Sequence, residues 1–445
     1  MLNYLKTHIC TIKFFRFCLI FLLIVSNGTI GVGPHKLPDQ FQELDSEGLN
    51  FKITNELSEF NGSKFIEKEA NEFLRHWNLA GMTMSIVKDG KLVYAHGFGF
   101  SDMEAKQPVL AGQLFRIASV SKLITAVAIM KLVEQKSLSL DAKVFGPTGV
   151  INDPIFNSVK DPRIYKITIR HLLAHAGGWS IRYGDMAFNS LLVLELNGET
   201  GAATMDSYNR FIASRKLHFD PGTRSSYSNM GYMFLTKVIE AVSGQPYEKY
   251  VRNEVLKPIG ITDMHIGRSY LSDRRFNEVK YYESESPQLV SCFDGSGRMV
   301  PKTYGGNPIE LLGPAGGWIA SSVELAKLLV VVDGLKDVPD ILPQNLINQM
   351  VEDKFFRGPL GWKVVMDNGD WLRTGSMAGT SALVKRQSNG FSWVVIINSS
   401  SWKGPRLPAY INYMMKKLEK TVKNWPKEDL FQYNPKSETG FHLRK

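Results

Sequence analysis

Two turns near opposite ends of the chain constrain its fold more than any other feature. Met82 to Val87 and Leu92 to Phe98 are apolar runs on either side of Asp89-Gly90. Ala382 to Lys385 and Phe391 to Ile397 flank Ser388-Asn389-Gly390 in the same way. Apolar runs around Asp-Gly or Asn-Gly spell β-hairpins, because those residues accept the positive φ that a tight turn between twisted strands needs. Each hairpin has a helical companion. Phe65, Ile66, Phe73, Leu74 and Trp77 share one face of a helix over Ser63 to Trp77, with Ser63 as its N-cap, and Tyr410 to Val422 reads as a second helix. The middle of the chain is helical instead: Ser119 to Gln135 is apolar at helical spacing, Thr168 to His175 and Tyr232 to Val242 follow, and Gly- and Pro-rich loops join them. The predicted class is α+β, with an antiparallel sheet of about five strands built from both termini, flanked by the terminal helices and carrying an inserted helical lobe.

The N-terminus reads as a signal peptide. Lys6, Lys13 and Arg16 precede the apolar run Phe17 to Val25, and Ser26 and Gly28 then stand at small-residue cleavage spacing. The run is short for a permanent membrane helix; an uncleaved anchor is the alternative. Residues 1–28 are assigned to the signal, 29–428 to one domain with a polar lead-in over 29–60, and 429–445 to a loose polar tail. Export to the periplasm or the exterior follows, with no stable membrane span after cleavage. Removing 1–28 lowers the net charge from +10 to +7 and leaves Cys292 as the sole cysteine, so no internal disulfide can form. Basic residues are scattered rather than blocked, which argues against a nucleic-acid partner. A hydrophobic fraction of 44% with 22% charged residues excludes a disordered, collagen-like or disulfide-stapled chain.

Three short motifs carry candidate chemistry. Ser119-Val120-Ser121-Lys122 opens an apolar helix, so Ser119 and Lys122 share a face one turn apart. A serine there feels the positive end of the helix dipole, and a partly neutral amine beside it can take the hydroxyl proton. The pattern S-x-x-K also occurs at Ser85-Lys88 and Ser400-Lys403, but Ser85 falls in a strand and Ser400 follows one. Tyr227-Ser228-Asn229 follows the Pro221-Gly222 turn and precedes a helix; the other match, Tyr410-Ile411-Asn412, lies inside a regular helix. Arg373-Thr374-Gly375-Ser376 enters the last sheet hairpin, placing a cation, a hydroxyl and a glycine at a strand edge. Each motif alone has a bland reading: a helix cap, a packed ring, a turn.

Together, in this order, they resemble the serine β-lactamase and penicillin-binding-protein superfamily, and its class C-like branch in particular, over roughly Ser63 to Lys420. Phe115-Arg116-Ile117-Ala118, Ile167 to His175, Tyr227 to Tyr232 and Gly316 to Ser321 are similar to family stretches as well. The resemblance implies a β-lactamase/transpeptidase-like fold over 29–428 and a set of roles. Ser119 is the nucleophile, Lys122 its activating partner and Tyr227 a proton shuttle. Asn229 contacts the substrate amide, and the N–H groups of Ser119 and Ser376 form the oxyanion hole. The third motif departs from the family pattern by opening with Arg373 rather than Lys or His. Arg stays charged and can pair bidentately with a carboxylate, so Arg373, with Thr374, Gly375 and Ser376, is expected to read a substrate anion.

Rival chemistries find no support. In His171-Leu172-Leu173-Ala174-His175 a leucine occupies the position of the general base of a zinc protease motif, so both histidines are read as structural and no metal is expected. Neither G-x-S-x-G nor G-x-x-x-x-G-K-[ST] occurs. The sequence therefore predicts an exported, cofactor-free serine hydrolase. It would form an acyl-enzyme with an ester, amide or lactam carbonyl of a small-molecule or peptide substrate. Transfer of the acyl group to an alcohol or amine, and a silent ligand-binding homologue, are the alternatives. The pocket walls are expected from Trp179–His218 and Asp263–Leu312; the oligomeric state is not readable.

Overall fold

The computed structural model describes residues 48–283, 287–352 and 358–435. Residues 1–28, read as the signal, lie outside them. The main strands are β1 (Gly81–Lys88), β2 (Lys91–Asp102), β3 (Gln107–Pro108), β4 (Val364–Val365), β5 (Trp371–Met377), β6 (Thr380–Arg386) and β7 (Phe391–Ile397). The main helices are α1 (Ser63–Trp77), α2 (Ser121–Glu134), α3 (Ser190–Asn197), α4 (Met205–Ala213), α5 (Asn229–Ser243), α6 (Ser322–Leu329) and α7 (Leu407–Thr421).

The seven strands form one antiparallel sheet in the order β4-β5-β6-β7-β1-β2-β3. The sheet is wider than expected by its short edge strands β3 and β4, each two residues long. Both central residues of the first hairpin turn take positive φ, Asp89 at 50° and Gly90 at 75°. That turn carries the right-handed twist of its strands, which is why this dipeptide stands there. Met84 of β1 pairs with His96 of β2 on one side and with Val395 of β7 on the other, so the two ends of the chain meet in mid-sheet.

Strand alternation divides the sheet into two faces. Met82, Met84, Ile86, Leu383, Trp393 and Val395 point to one face and pack on Ile66, Phe73 and Leu74 of α1 and Ile411, Met414 and Leu418 of α7. Ala382, Val384, Val394 and Ile396 join the larger core of the helical lobe on the other face. Thr83 and Ser85 are the polar exceptions on that second face. Each hydroxyl lies 2.8 Å from Ser322 Oγ, at the start of α6, so Ser85 is a satisfied core hydroxyl and no nucleophile. The apolar stripe of α2 extends around the whole helix: Leu123 to Met130 are all buried, the pattern of a central helix rather than a surface one.

Two local expectations are corrected. Ser63 is the first residue of α1 and not its cap; Gly62 holds that position, and Ser63 Oγ donates to Phe60 O. The tail expected from Asp429 is docked at its start. Asp429 accepts from the N–H groups of Leu92 and Phe431, and Leu430 and Phe431 are buried. Among the described residues no helix is long and apolar enough to cross a membrane.

Candidate active site

The site begins at a strained turn. Ala118 holds φ at 45°, a left-handed conformation costly for a residue with a Cβ, and such strain tends to collect at functional turns. It leads into a single 3₁₀ turn, Ala118–Val120, from which α2 continues. Ser119 is the partly exposed member of that turn, while Ala118 and Val120 are buried. Strand β5 runs against this turn. A Cβ on Gly375 would lie 2.3 Å from Ile117 O and 2.9 Å from Ser119 N, so only glycine lets the strand approach. Ser376, expected to share the oxyanion role, is the next residue along β5.

Lys122, the second residue of α2 and one turn beyond Ser119, is fully buried. Its Nζ donates to Ser119 Oγ at 3.3 Å, to Asn229 Oδ1 at 2.5 Å and to the carbonyl of Ala315. Ala315 belongs to the tight turn Gly313–Gly317, where a Cβ on Gly317 would meet Ile309 O at 2.2 Å. The glycines of this stretch therefore fix a carbonyl that holds the lysine. Burial is the main cause that lowers the Lys122 pKa to about 8, and the cationic Arg373 adds to it.

Tyr227 reaches the serine from the loop before α5, its Oη 2.6 Å from Ser119 Oγ. Burial would raise its pKa, but the positive charges of Lys122 and Arg373 and the hydrogen bond to Ser119 outweigh it and bring the phenol to about 8. A phenol and an amine of matched acidity thus converge on one hydroxyl, the arrangement in which a proton moves with least cost near neutral pH.

The structure places two expected substrate contacts elsewhere. Asn229 is buried and engaged at both ends: Oδ1 accepts from Lys122 and Nδ2 donates to Asp185 Oδ2 at 2.5 Å. It works here as a bridge that holds the lysine. Arg373 was expected to present its fork to a substrate carboxylate. It is instead 2% exposed, with Nε donating to Ser119 O at 2.7 Å and Nη1 to Trp362 O at 3.4 Å. Alternation along β5 turns Arg373 and Gly375 toward the nucleophile turn, and this aims the guanidinium behind Ser119 rather than into open space. Its charge acts on Lys122 and Tyr227. Thr374, one residue on, accepts a 3.0 Å hydrogen bond from Lys363 Nζ.

Both histidines of the middle lobe serve structure. His171 closes a capping box with Thr168. His175 is half-buried with its ring 4.5 Å from that of Tyr227, and its Nδ1 accepts from the N–H of Ser228. Desolvation of the ring, then the charges of Lys122 and Arg373, push the His175 pKa well below the usual imidazole range.

A cavity of about 260 Å³ opens beside Tyr227. Its walls come from the first of the two expected segments, within Trp179–His218, together with Tyr227, Ser228 and Met230; the Asp263–Leu312 segment contributes none. Sequence reasoning missed Asp185 and Lys363. Asp185 has only its Asx-type turn before Met186–Phe188 as a local signal, and Lys363 has none.

The chain matches the family model described as Beta-lactamase over residues 66–413. It is 28% identical over 348 residues to "Esterase EstB" of Burkholderia gladioli, covering 73% of this chain and 85% of that one. It is 30% identical to "Protein flp" of Staphylococcus aureus (strain N315), covering 78% of this chain and 65% of that one, so it spans just under two thirds of that relative. Among solved structures, the octameric penicillin-binding protein homologue from Pyrococcus abyssi superposes with a TM-score of 0.56 at 25% identity, covering 82% of this chain and 77% of that one. D-amino acid amidase from Ochrobactrum anthropi SV3 gives 0.62 at 20% identity, covering 81% and 98%.

Proposed function

The chain belongs to the beta-lactamase family, and within it we propose that this protein is a serine hydrolase in which Ser119 forms an acyl-enzyme with an ester or amide carbonyl. The observation that carries the reading is the contact of Ser119 Oγ with Tyr227 Oη at 2.6 Å and with Lys122 Nζ at 3.3 Å, both partners poised near pH 8. The esterase name of the Burkholderia relative supports an ester as the test substrate.

The sequence of events follows from the geometry. Ser119 Oγ attacks the carbonyl carbon as its proton passes to the Tyr227–Lys122 pair. In this reading the negative charge that develops on the carbonyl oxygen is met by the N–H groups of Ser119 and Ser376, and the close approach of Gly375 to Ile117 O and Ser119 N supports that role by seating β5 against the turn. Tyr227 returns the proton to the departing oxygen or nitrogen, and the C–O or C–N bond breaks to leave the acyl-serine. In the second half a water gives its proton to the same pair, attacks the acyl carbon and releases the acid with Ser119 restored. The nearer partner of Oγ is Tyr227, so it makes the direct proton contact. Lys122, held by Asn229 and Ala315, also donates to Oγ, and its charge lowers the pKa of the phenol.

The proposal extends to export by the segment 1–28 and to one domain over 29–428. Cell fractionation of the full-length chain tests the first. Transfer to an added alcohol in place of water is read by product analysis. The main test is labelling by a fluorophosphonate. Wild-type protein should gain one adduct mapped to Ser119, and Ser119→Ala should lose both label and ester turnover with its melting temperature kept. Persistent labelling in the variant refutes the assignment.

A further inference from the structure

The outer face of α7 lies away from the catalytic chemistry and carries an unusual surface. The helix buries Ile411, Met414 and Leu418 against the sheet, so its opposite side points to solvent. Arg406, Tyr410, Tyr413, Lys417 and Lys420 fall on that side, at intervals of three or four residues. Tyr413 is 76% exposed, and Trp402, one turn before Arg406, is 65% exposed. Single exposed rings are ordinary on a protein surface, but these belong to a cluster. The rings of Trp402 and Tyr410 lie 6.1 Å and 4.6 Å from that of Trp77, the last residue of α1. Lys403 Nζ sits 3.8 Å from the centre of the Trp402 ring, 5.5 Å from that of Tyr410 and 5.8 Å from that of Trp77.

The charge around the cluster is one-sided. Residues 402–427 hold seven Lys and Arg against one acid, Glu419, a contribution of +6 to a chain whose net charge is +10. Along the sequence these cations are spaced out; the helix gathers them. Glu419 is turned to Gln387 and Asn389, whose amides donate to it. Glu69 and Glu72 of α1 stand beside Lys417, and Glu69 pairs with it at 2.7 Å. Arg406, Lys416, Lys420, Lys423 and Lys427 are exposed and form no ion pair among the described residues. Free cations select an anionic partner. Trp and Tyr rings beside them select one with an apolar layer under its charge. A bilayer with anionic headgroups offers both, because these rings settle at headgroup level while Lys and Arg meet the negative surface potential. A soluble polyanion would satisfy the charges and leave the rings in water.

We propose that the outer face of α7, with the Trp77–Trp402 cluster at one end, docks the folded domain onto an anionic lipid surface. The attachment is peripheral. The inner side of α7 stays in the core, so the exposed rings of Trp402 and Tyr413 enter the headgroup region and the flanking cations lie along it. The proposal is independent of Ser119 and of the reaction it carries.

The test is co-sedimentation of the full-length chain with vesicles of phosphatidylcholine alone and of equal parts phosphatidylcholine and phosphatidylglycerol. Wild type should partition onto the anionic vesicles at least roughly tenfold more strongly than onto the neutral ones, and high salt should erode the preference. The triple variant Lys416→Gln, Lys420→Gln, Lys423→Gln removes three exposed cations, each a factor of roughly five at an anionic surface, and should erase most of the preference. The double variant Trp402→Ser, Tyr413→Ser should weaken partitioning onto anionic vesicles by at least roughly tenfold. Every replaced side chain is exposed, and a thermal melt checks that each variant is folded. Residues 1–28 are common to all three proteins, so their own pull on lipid cancels in the comparison. Equal partition of wild type onto both vesicles, or variants that bind anionic vesicles as wild type does, would overturn the proposal. Binding to soluble polyglutamate as tight as to anionic vesicles, and untouched by the serine substitutions, would assign the face to a polyanion and overturn it as well.

Discussion

Replacement of Arg373 separates two accounts of an unusual residue. If its charge acts through the pair that moves the proton, then Arg373→Met should shift the pH dependence of turnover for every substrate. The guanidinium bonds the carbonyl of Ser119 while Tyr227 bonds its hydroxyl, which puts the two groups at a separation on the order of 7 Å. At an effective dielectric of about 20, two unit charges at that distance interact by ~2.4 kcal/mol, or roughly 1.7 pH units. The sign is the same for both partners. Loss of a nearby positive charge makes the phenolate harder to form and the ammonium easier to keep, so both pKa values rise. Activity needs the pair one proton short of full protonation, and the macroscopic pKa belongs to the pair. The acid limb of kcat/KM, expected near pH 8 in wild type, should therefore move up by about 1–2 units. Activity at pH 7 should drop roughly 10- to 100-fold and recover at alkaline pH. Arg373→Lys keeps the charge and should leave the limb near 8. The assay is a pH–rate profile on an acidic ester and its methylated counterpart. An unmoved limb with a loss confined to the acidic ester would refute this reasoning and restore Arg373 as the reader of a substrate anion.

Other substitutions probe separate links. Tyr227→Phe removes the hydroxyl in contact with the nucleophile; turnover should fall by roughly 10²–10⁴-fold with little change in melting temperature, and near-normal turnover would make the tyrosine structural. Gly375→Val would drive a side chain into Ile117 O and Ser119 N. It should cost on the order of 2–3 kcal/mol in denaturant unfolding and abolish labelling of Ser119, whereas a neutral outcome would show that β5 does not hold the turn. Glu324 is fully buried at the start of α6, and burial, with Asp263 nearby, lifts its pKa to about 7. Its folded pKa exceeds its unfolded one, so this contribution to stability is whole below about pH 4.5 and is lost as pH rises through 7. Glu324→Gln keeps the acceptor for Thr262 and Asp263 and should stabilise the protein by up to ~3 kcal/mol at pH 8 but by little at pH 5, measured by urea unfolding at both values.

The framework was legible because its signals are local. The hairpin at Asp89-Gly90 and the helix over Ser63–Trp77 follow from turn chemistry and from apolar period, and these do not depend on the rest of the fold. The pairing of Ser119 with Lys122 was legible for a similar reason: S-x-x-K at a helix start places two groups on one face whatever surrounds them. What the sequence hid depends on contacts across long separations. Arg373 reads as an exposed fork until alternation along β5 turns it behind Ser119. Asn229 reads as a free amide until Asp185, 44 residues earlier, closes on it. Lys363 carries no pattern at all, and only the pairing of β4 with β5 brings it to Thr374. The docking of Leu430 and Phe431 was hidden by polar neighbours that dominate the composition of the tail.

The central claim is that Ser119 carries the acyl group between two half-reactions. It is tested most directly by acid-quenching the full-length protein milliseconds after mixing with excess p-nitrophenyl ester, then mapping any mass increase to a peptide. The account predicts one acyl group per chain, located on Ser119, formed at the rate of the p-nitrophenol burst and absent from Ser119→Ala. A burst with the acyl group on another residue, or steady turnover in Ser119→Ala at the wild-type rate, would contradict it.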